Sequence, residues 1–430
     1  MEKRKLLFVF TFNQTIHWFI VGLIFPVIAL FQMEKGLNLF QIGINMALYS
    51  AAVILFELPT GGLSDTLGRK KVYLISLAVN LSAGVVLVLA KNFFTLAGGI
   101  FLMGLGRALS TGSLDAWFVD EFNKIEPKGN LQSAFATVGI FIPLGLALGT
   151  LSGGFIPMVL GEITSQIPGF GKYSSNLLVF NFFIIIQFFL TSLFIVEHLH
   201  PSSNVTIWSG FKKLPEVIST SIQYGIKNRV VFMLLLSTLA LGVGLAGLEN
   251  FWQPQVKNIL SSDSQTWIFG LLATGYFLAS SLGNVLITPL CKLCKNNYSK
   301  ILFVTRLLMG VFYLTLALQK SLTGFSIFYL STFLFNGLTS SPHMTLLNEQ
   351  LPKERRSTLL SFESIFLQVG ALVGSLIMGY IAQNLSISIA WMVGAGILAF
   401  SCLLYFFLPV KSQEIEGLTE AIGKGSDLNI

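Results

Sequence analysis

Charge is what this 430-residue chain has least of: Asp, Glu, Lys and Arg make up 11%, against roughly a quarter in soluble domains. That shortage excludes a surface that faces water all round. Cysteine is also scarce, at three residues, which excludes a disulfide framework. Cys291 and Cys294 form one C-x-x-C with no second pair, so neither metal nor redox work is expected. No phosphate-binding loop is present, since Gly171-Lys172 is followed by Tyr173. Without one there is no ATP-driven pump. No catalytic constellation stands out, and neither enzyme activity nor a cofactor is expected. Gly242-Val-Gly244-Leu-Ala-Gly247 fits G-x-G-x-x-G but lies inside an apolar run with no strand before it, which marks helix packing rather than a nucleotide site.

Apolar sequence fills the chain instead: 53% is hydrophobic, with 39 Phe. A bilayer core of ~30 Å takes ~20 helical residues. Twelve such runs follow one another: Leu6–Phe31, Leu39–Gly61, Val72–Ala90, Phe94–Ser113, Leu131–Leu160, Leu177–Val196, Val230–Trp252, Trp267–Leu290, Ile301–Leu318, Leu322–Leu347, Ser357–Ala382 and Ile387–Leu408. The first is too long for a signal-peptide core and lacks a small-residue cleavage site, so it is expected to remain as helix 1.

The basic residues test the count. With twelve alternating helices, the segments on the N-terminal side hold 20 of the 27 Lys and Arg and the opposite segments hold five. Arg107 and Arg306 fall inside helices. By the positive-inside rule both termini are cytoplasmic. The net charge of +7 is therefore a dispersed topology signal, and no nucleic-acid partner is expected. The expected fold is an all-α integral membrane protein with twelve transmembrane helices in two six-helix bundles. Residues 1–196 form the first bundle, 197–229 a cytoplasmic linker, 230–408 the second bundle and 409–430 a cytoplasmic tail. Within the linker, Trp208 to Arg229 has the composition of a surface amphipathic helix. A faint repeat supports duplication: Asp120-Glu121 and Asn348-Glu349 each precede a Pro-Lys pair and then a Ser at the same spacing, Ser133 and Ser361.

The joint between helices 2 and 3 runs Glu57-Leu-Pro59-Thr-Gly61-Gly62-Leu63-Ser64-Asp65-Thr66-Leu67-Gly68-Arg69-Lys70-Lys71. Its glycines allow a tight turn and close helix approach, and Pro59 loosens the end of helix 2. Asp65 and Arg69, four apart, can pair on one helical turn. The plainer alternative is a basic loop that only sets topology.

This segment resembles the signature loop of the major facilitator superfamily, G-x-L-[AS]-D-x-x-G-R-[KR], with Gly61, Leu63, Ser64, Asp65, Gly68, Arg69 and Lys70 all matching. In that family the loop locks the outward-facing state. Its Asp sits near the start of helix 11, and its Arg pairs with an acid at the cytoplasmic end of helix 4. The resemblance thus implies a conformational switch of Glu57, Gly61, Asp65, Gly68, Arg69, Lys70 and Asp120, with Glu363 on helix 11 meeting the loop. Glu57-x-Pro59, the segment Gly106-Arg107 to Asp115-Ala-Trp117, and the joint from Asn348-Glu349 to Ser361 are similar to the clostridial-type tetracycline efflux branch. Two features depart from it. Helix 5 carries Gly145, Gly149, Gly153 and Gly154 with Pro143 and Pro157 displaced from the antiporter signature. The second-half copy of the loop is reduced to Cys291-Lys-Leu-Cys294-Lys-Asn-Asn.

In the family, helices 1, 4, 7 and 10 line a central cavity. Intramembrane polar residues are functional candidates by default. On those helices they are Asn13, Gln14 and His17, then Arg107, then Glu249, Asn250 and the adjacent Trp252, then Asn336. For His17 a helix-packing hydrogen bond is an equal alternative. Arg306 is expected to snorkel to the cytoplasmic surface. The expected function is a secondary transporter of the bacterial plasma membrane, acting as a monomer in the lipid bilayer. It would export a small organic or drug-like compound in exchange for protons, with His17 or Glu249 carrying the proton and Arg107 holding substrate or counter-ion. The alternatives are a facilitative or uptake carrier for a metabolite and a non-transporting receptor or scaffold.

Overall fold

The computed structural model describes residues 2–125, 131–197, 228–260, 265–350 and 356–408, apart from the side chains at 58, 61, 62, 65, 66, 132, 136 and 356–361. The expected linker helix, the tail and the side chains at 61 and 65 of the signature loop lie outside the described residues. Among the described residues, twelve helices are long and apolar enough to cross a membrane. They are α1 (Lys3–Glu34), α2 (Leu39–Leu67), α3 (Arg69–Leu89), α4 (Phe93–Ile125), α5 (Leu131–Val159) and α6 (Ser174–Phe194), then α7 (Arg229–Leu260), α8 (Trp267–Leu293), α9 (Tyr298–Ala317), α10 (Leu322–Gln350), α11 (Arg356–Asn384) and α12 (Ile387–Phe406). Among the described residues there is no strand.

The helix starts and breaks follow from local chemistry. Asn38 with Gln41, and Asn92 with Thr95, form capping boxes that satisfy the first N–H groups of α2 and α4. Pro26 interrupts α1 between Ile24 and Ile28, because it lacks an N–H for the ladder. Gly112, at φ +75°, breaks α4 after Ser110. Gly68 alone joins α2 to α3 at φ 92° and ψ 142°, a conformation that side chains oppose. Several helices outrun the hydrophobic runs that announce them. α4 reaches Ile125 rather than Ser113, α7 reaches Leu260 rather than Trp252, and α10 reaches Gln350 rather than Leu347.

Each bundle is built the same way. α1 packs on α5, α2 on α4 and α3 on α6; six helices later, α7 packs on α11, α8 on α10 and α9 on α12. Without a hydrophobic driving force between helices in lipid, close approach at small residues does this work. Side chains added at Gly145, Gly149 and Gly153 of α5 would run into the backbone of α1 at Thr15, Phe19 and Leu23. The glycines of the G-x-G-x-x-G segment do the same in the second bundle: Gly242 abuts α11, Gly244 abuts α12, and Gly247 abuts both.

The bundles touch mainly toward one face, the face away from Lys3 and Lys124. There the Leu39 amide donates to Gln383 Oε1 at 3.0 Å, and Gly43 of α2 lies against Gly379 of α11. Thr150 and Thr274 hydroxyls meet at 2.8 Å between α5 and α8, with Gly154 against Gly270 beside them. Gln253 Nε2 donates at 3.0 Å to the Phe25 carbonyl that the Pro26 break leaves free. Toward the other, terminal face no packed interface joins α4 or α5 to α10 among the described residues. Among the described residues, these contacts close the space between the bundles at the far face, and α4, α5 and α10 do not close it at the terminal one.

Candidate functional site

Two charged side chains stand in that space. Arg107 of α4 and Glu249 of α7 are both solvent-accessible, although each sits deep within its helix. They belong to opposite bundles and interact electrostatically, and Arg107 also interacts with Glu57 of α2. Only the gap between bundles lets these three groups face one another. Arg107 Nη1 reaches the Tyr49 hydroxyl at 3.4 Å, with the guanidinium over the Tyr49 ring at 5.9 Å. Tyr276 OH donates to Glu249 Oε1 at 3.5 Å.

Aromatic rings close the far end of this space. Phe25 of α1 packs on Trp252, Tyr276 and Phe277. Trp252 also meets Tyr329 at 5.5 Å, and Tyr276 stands edge-on to Phe333 at 3.8 Å. Trp252 Nε1 and Tyr329 OH are buried without a hydrogen-bond partner among the described residues. An accessible carboxylate and guanidinium beside an aromatic cluster can bind an amphipathic organic molecule.

Not every polar residue expected in the cavity lies there. Asn13 is buried toward α6: its Nδ2 donates to Thr191 Oγ1 at 2.7 Å, and Gln187 donates back to it. His17 is half-buried, with Nδ1 3.2 Å from the Tyr73 hydroxyl, which also accepts from Gln187 Nε2 at 2.8 Å. This α1–α3–α6 network is the packing alternative for His17. Gln14 donates to exposed Asp115 of α4 at 2.8 Å. Asn250 points into the second bundle and donates to Ser375 Oγ of α11 at 2.9 Å. Asn336 is half-buried, with no side-chain hydrogen bond among the described residues. Arg306 does not snorkel. It is 1% exposed and donates to Tyr405 OH at 3.0 Å, because α12 offers a buried phenol where the surface was expected.

The switch residues gather at the terminal face. Arg69 Nη1 lies 2.7 Å from Asp120 Oδ2. Glu197, just beyond α6, accepts from the Arg69 and Lys70 amides at 2.7 and 3.0 Å, placing a carboxylate on the N-terminus of α3. Lys70 Nζ donates to the Ser192 carbonyl at 2.8 Å. Glu57 accepts from Ser364 of α11 at 3.2 Å, a hydrogen bond between the bundles. Glu363, expected to meet the loop, bonds instead to His343 and Thr238 inside its own bundle, because its side chain turns toward α10 and α7.

Sequence reasoning passed over Glu197, His343 and the rings of Phe25, Tyr276, Tyr329 and Phe333. His343 was findable as an ionisable group inside a span, but it sits close to where the apolar run ends. The rings carry no signal that separates them from the chain's many lipid-facing aromatics.

The sequence model of the Major Facilitator Superfamily matches residues 10–264 and again 232–428. The chain belongs to the major facilitator superfamily. It is a transporter rather than an enzyme, a multi-pass protein of the bacterial plasma membrane. A curated relative, the Quinolone resistance protein NorA of Staphylococcus aureus (strain MSSA476), is 22% identical over 384 residues, 87% of this chain and 89% of that protein. An uncharacterized transporter of Buchnera aphidicola subsp. Schizaphis graminum is 25% identical over 208 residues, 48% of this chain and 46% of that one. Among solved structures, the nucleoside transporter NupG superposes with a TM-score of 0.73 at 12% identity, covering 94% of this chain and 100% of that one. A bacterial homolog to the human lysosomal transporter Spinster, inward-facing and unoccupied, gives 0.70 at 14% identity, covering 94% and 96%. At these identities the structures speak for the fold alone.

Proposed function

We propose that this major facilitator transporter exports a small amphipathic organic compound from the cell by alternating access, driven by protons entering in exchange. The observation that carries the reading is Glu249 facing Arg107 across the gap between the bundles, beside the aromatic cluster. The terminal face is taken as cytoplasmic from the distribution of Lys and Arg, and on this reading a monomer works with the gap between its bundles facing the cytoplasm. Residues 1–196 and 230–408 act as the two moving halves, hinged by 197–229. An amphipathic compound entering from the cytoplasm settles its apolar part against Phe25 and Tyr276, the partly exposed rings of the aromatic cluster. Its polar part takes the Glu249–Arg107 pair.

Exchange requires a group that changes charge. Arg107 cannot, because guanidinium stays protonated. Glu249 has the placement for it; His17, held in the α1–α3–α6 network, has the chemistry but not the outlook onto the gap. When a proton neutralises Glu249, a ligand's polar group loses its counter-charge and the site releases it. Arg69, Asp120 and Glu197 tie the terminal ends of α3, α4 and α6 into one moving unit, and Glu57 with Ser364 links that unit to the other half. A quinolone-resistance relative over most of the chain supports export over uptake. The experiment is accumulation of ethidium in cells with and without the gene, with and without a protonophore. Export predicts lower accumulation in expressing cells, a difference that the protonophore and Glu249→Gln each remove. A difference that survives both points to facilitated movement instead.

A further inference from the structure

The second bundle holds a buried polar chain, toward its terminal face, that the central site does not use. Arg306 Nη2 of α9 and Ser237 Oγ of α7 both donate to the Tyr405 hydroxyl of α12, at 3.0 and 2.7 Å. Two donors fill both lone pairs of that oxygen, so its own O–H points to the remaining neighbour, His343 Nδ1 of α10 at 3.0 Å. With Nδ1 accepting, the neutral imidazole carries its proton on Nε2. Nε2 faces Glu363 Oε1 of α11 at 3.2 Å and Thr238 Oγ1 of α7 at 3.1 Å. Hydrogen bonds thus run unbroken from a buried guanidinium to a carboxylate: Arg306, Tyr405, His343, Glu363. Cys402 of α12 is the other titratable group near Arg306. Arg306 Nε and Nη1 have no hydrogen-bond partner among the described residues, and the carboxylate at the other end of the chain is Glu363.

The chain has one open end. Arg306 is sealed, whereas the Glu363 side chain is 15% exposed. Next to Glu363 in sequence is Ser364, whose hydroxyl donates to Glu57 of the other bundle.

We propose that His343 and Glu363 form a proton-binding site in the second bundle, separate from Glu249, and that its occupancy is transmitted to the contact between the bundles through Ser364 and Glu57. The proton is taken from water on the far side in the opposite state and released to water at the terminal face in this one; the only bond made or broken is the N–H or O–H that holds it. The hydrogen-bond inventory makes the uptake a conformational event. An imidazolium donates from both nitrogens, so Tyr405 must turn its hydroxyl proton away from Nδ1 while Arg306 and Ser237 still fill its oxygen. Either the Ser237–Tyr405 bond reverses, with Tyr405 donating to Ser237 Oγ, or one of the Arg306–Tyr405 and Ser237–Tyr405 bonds gives; each alters how α7, α9, α10 and α12 are held together. Protonation of the carboxylate instead weakens the acceptor of Nε2–H. Both routes bias the packing of α11, which carries the bridge to α2. A two-state element whose equilibrium a ligand shifts by differential affinity is what transport coupling requires. The role in transport rests on the proton-exchange reading above; the existence of the site does not.

Two measurements separate these. In the first, the full chain with labelled histidine is placed in lipid nanodiscs and its imidazole signals are followed by NMR from pH 9 to pH 5. The chain has four histidines, and His343→Gln assigns the signal. The expected result is an Nε2–H tautomer at high pH and a titration whose midpoint moves by about one pH unit or more, a tenfold change in proton affinity, in Glu363→Gln. Tyr405→Phe, which keeps the ring, is expected to change the tautomer balance. A signal that stays fixed across the range, or a titration identical in Glu363→Gln, overturns the site. In the second, proteoliposomes carrying a pH dye are given an ethidium gradient. Glu363→Gln and His343→Gln are expected to keep ethidium exchange while the proton signal falls at least several-fold. An undiminished proton signal in both overturns the coupling role. Wild-type protein that moves no ethidium refutes the export reading, and the NMR titration still decides the site.

Discussion

If the two bundles rock about the central site, tying their far ends together has to stop transport. Thr150 of α5 and Thr274 of α8 offer the place, with hydroxyl oxygens 2.8 Å apart. A disulfide requires sulfur atoms ~2.05 Å apart and Cβ atoms ~3.5–4.5 Å apart. Sulfurs at the oxygen positions need only approach by about 0.75 Å, and the longer C–S bonds supply part of that. Gly154 against Gly270 one turn away keeps the backbones close enough. The perturbation is therefore Thr150→Cys with Thr274→Cys, after replacing the free cysteines Cys291, Cys294 and Cys402. Oxidation is expected to cross-link the pair without shifting the fold, because the contact already exists in this structure. Substrate binding from the terminal face is retained, whereas turnover falls to the fraction left uncross-linked, read by mass spectrometry on the same sample. Reduction restores it. Each single-cysteine variant, oxidised alike, keeps full turnover. Fully cross-linked protein that transports at the wild-type rate would refute the reasoning, because the α5–α8 contact would then never have to part.

Arg69→Ala removes one partner of a half-exposed ion pair, worth under ~1 kcal/mol to stability; its thermal midpoint is expected to shift little while turnover falls and substrate binding persists, and wild-type turnover would reduce the loop to a topology signal. Gly68→Ala places a side chain at positive φ and is expected to cost ~1–2 kcal/mol, read as a lower midpoint in thermal unfolding; an unchanged midpoint would mean the α2–α3 joint relaxes freely. Cysteines at Ser202 and at Lys257 report topology: an impermeant reagent added outside is expected to label only the second, and labelling of both, or of the first alone, would reverse the assignment of faces.

The fold was legible because a bilayer imposes long apolar helices and a sided distribution of Lys and Arg, both of which are linear patterns. Arg107 and Glu249 were legible for a related reason, as charges deep in spans that must find water or a partner. Azimuth was not. Counting rises of 1.5 Å per residue gives depth, and at the depths of Asn13 and Asn250 the side chains turn inward to Thr191 and Ser375. Their partners lie 178 and 125 residues away, so nothing local announces them. Arg306 and His343 were misplaced or missed because both sit near the ends of apolar runs. The neighbours that bury them, Tyr405 above all, come from other helices.

The most direct test of the account uses proteoliposomes that contain only this chain, an imposed pH gradient, and ethidium or a quinolone as the transported probe. The account predicts accumulation of the probe against its own gradient, abolished by nigericin and by Glu249→Gln, with downhill exchange of the probe preserved in that variant. Accumulation that Glu249→Gln leaves intact, or a purified chain that moves neither probe in either direction, would contradict it.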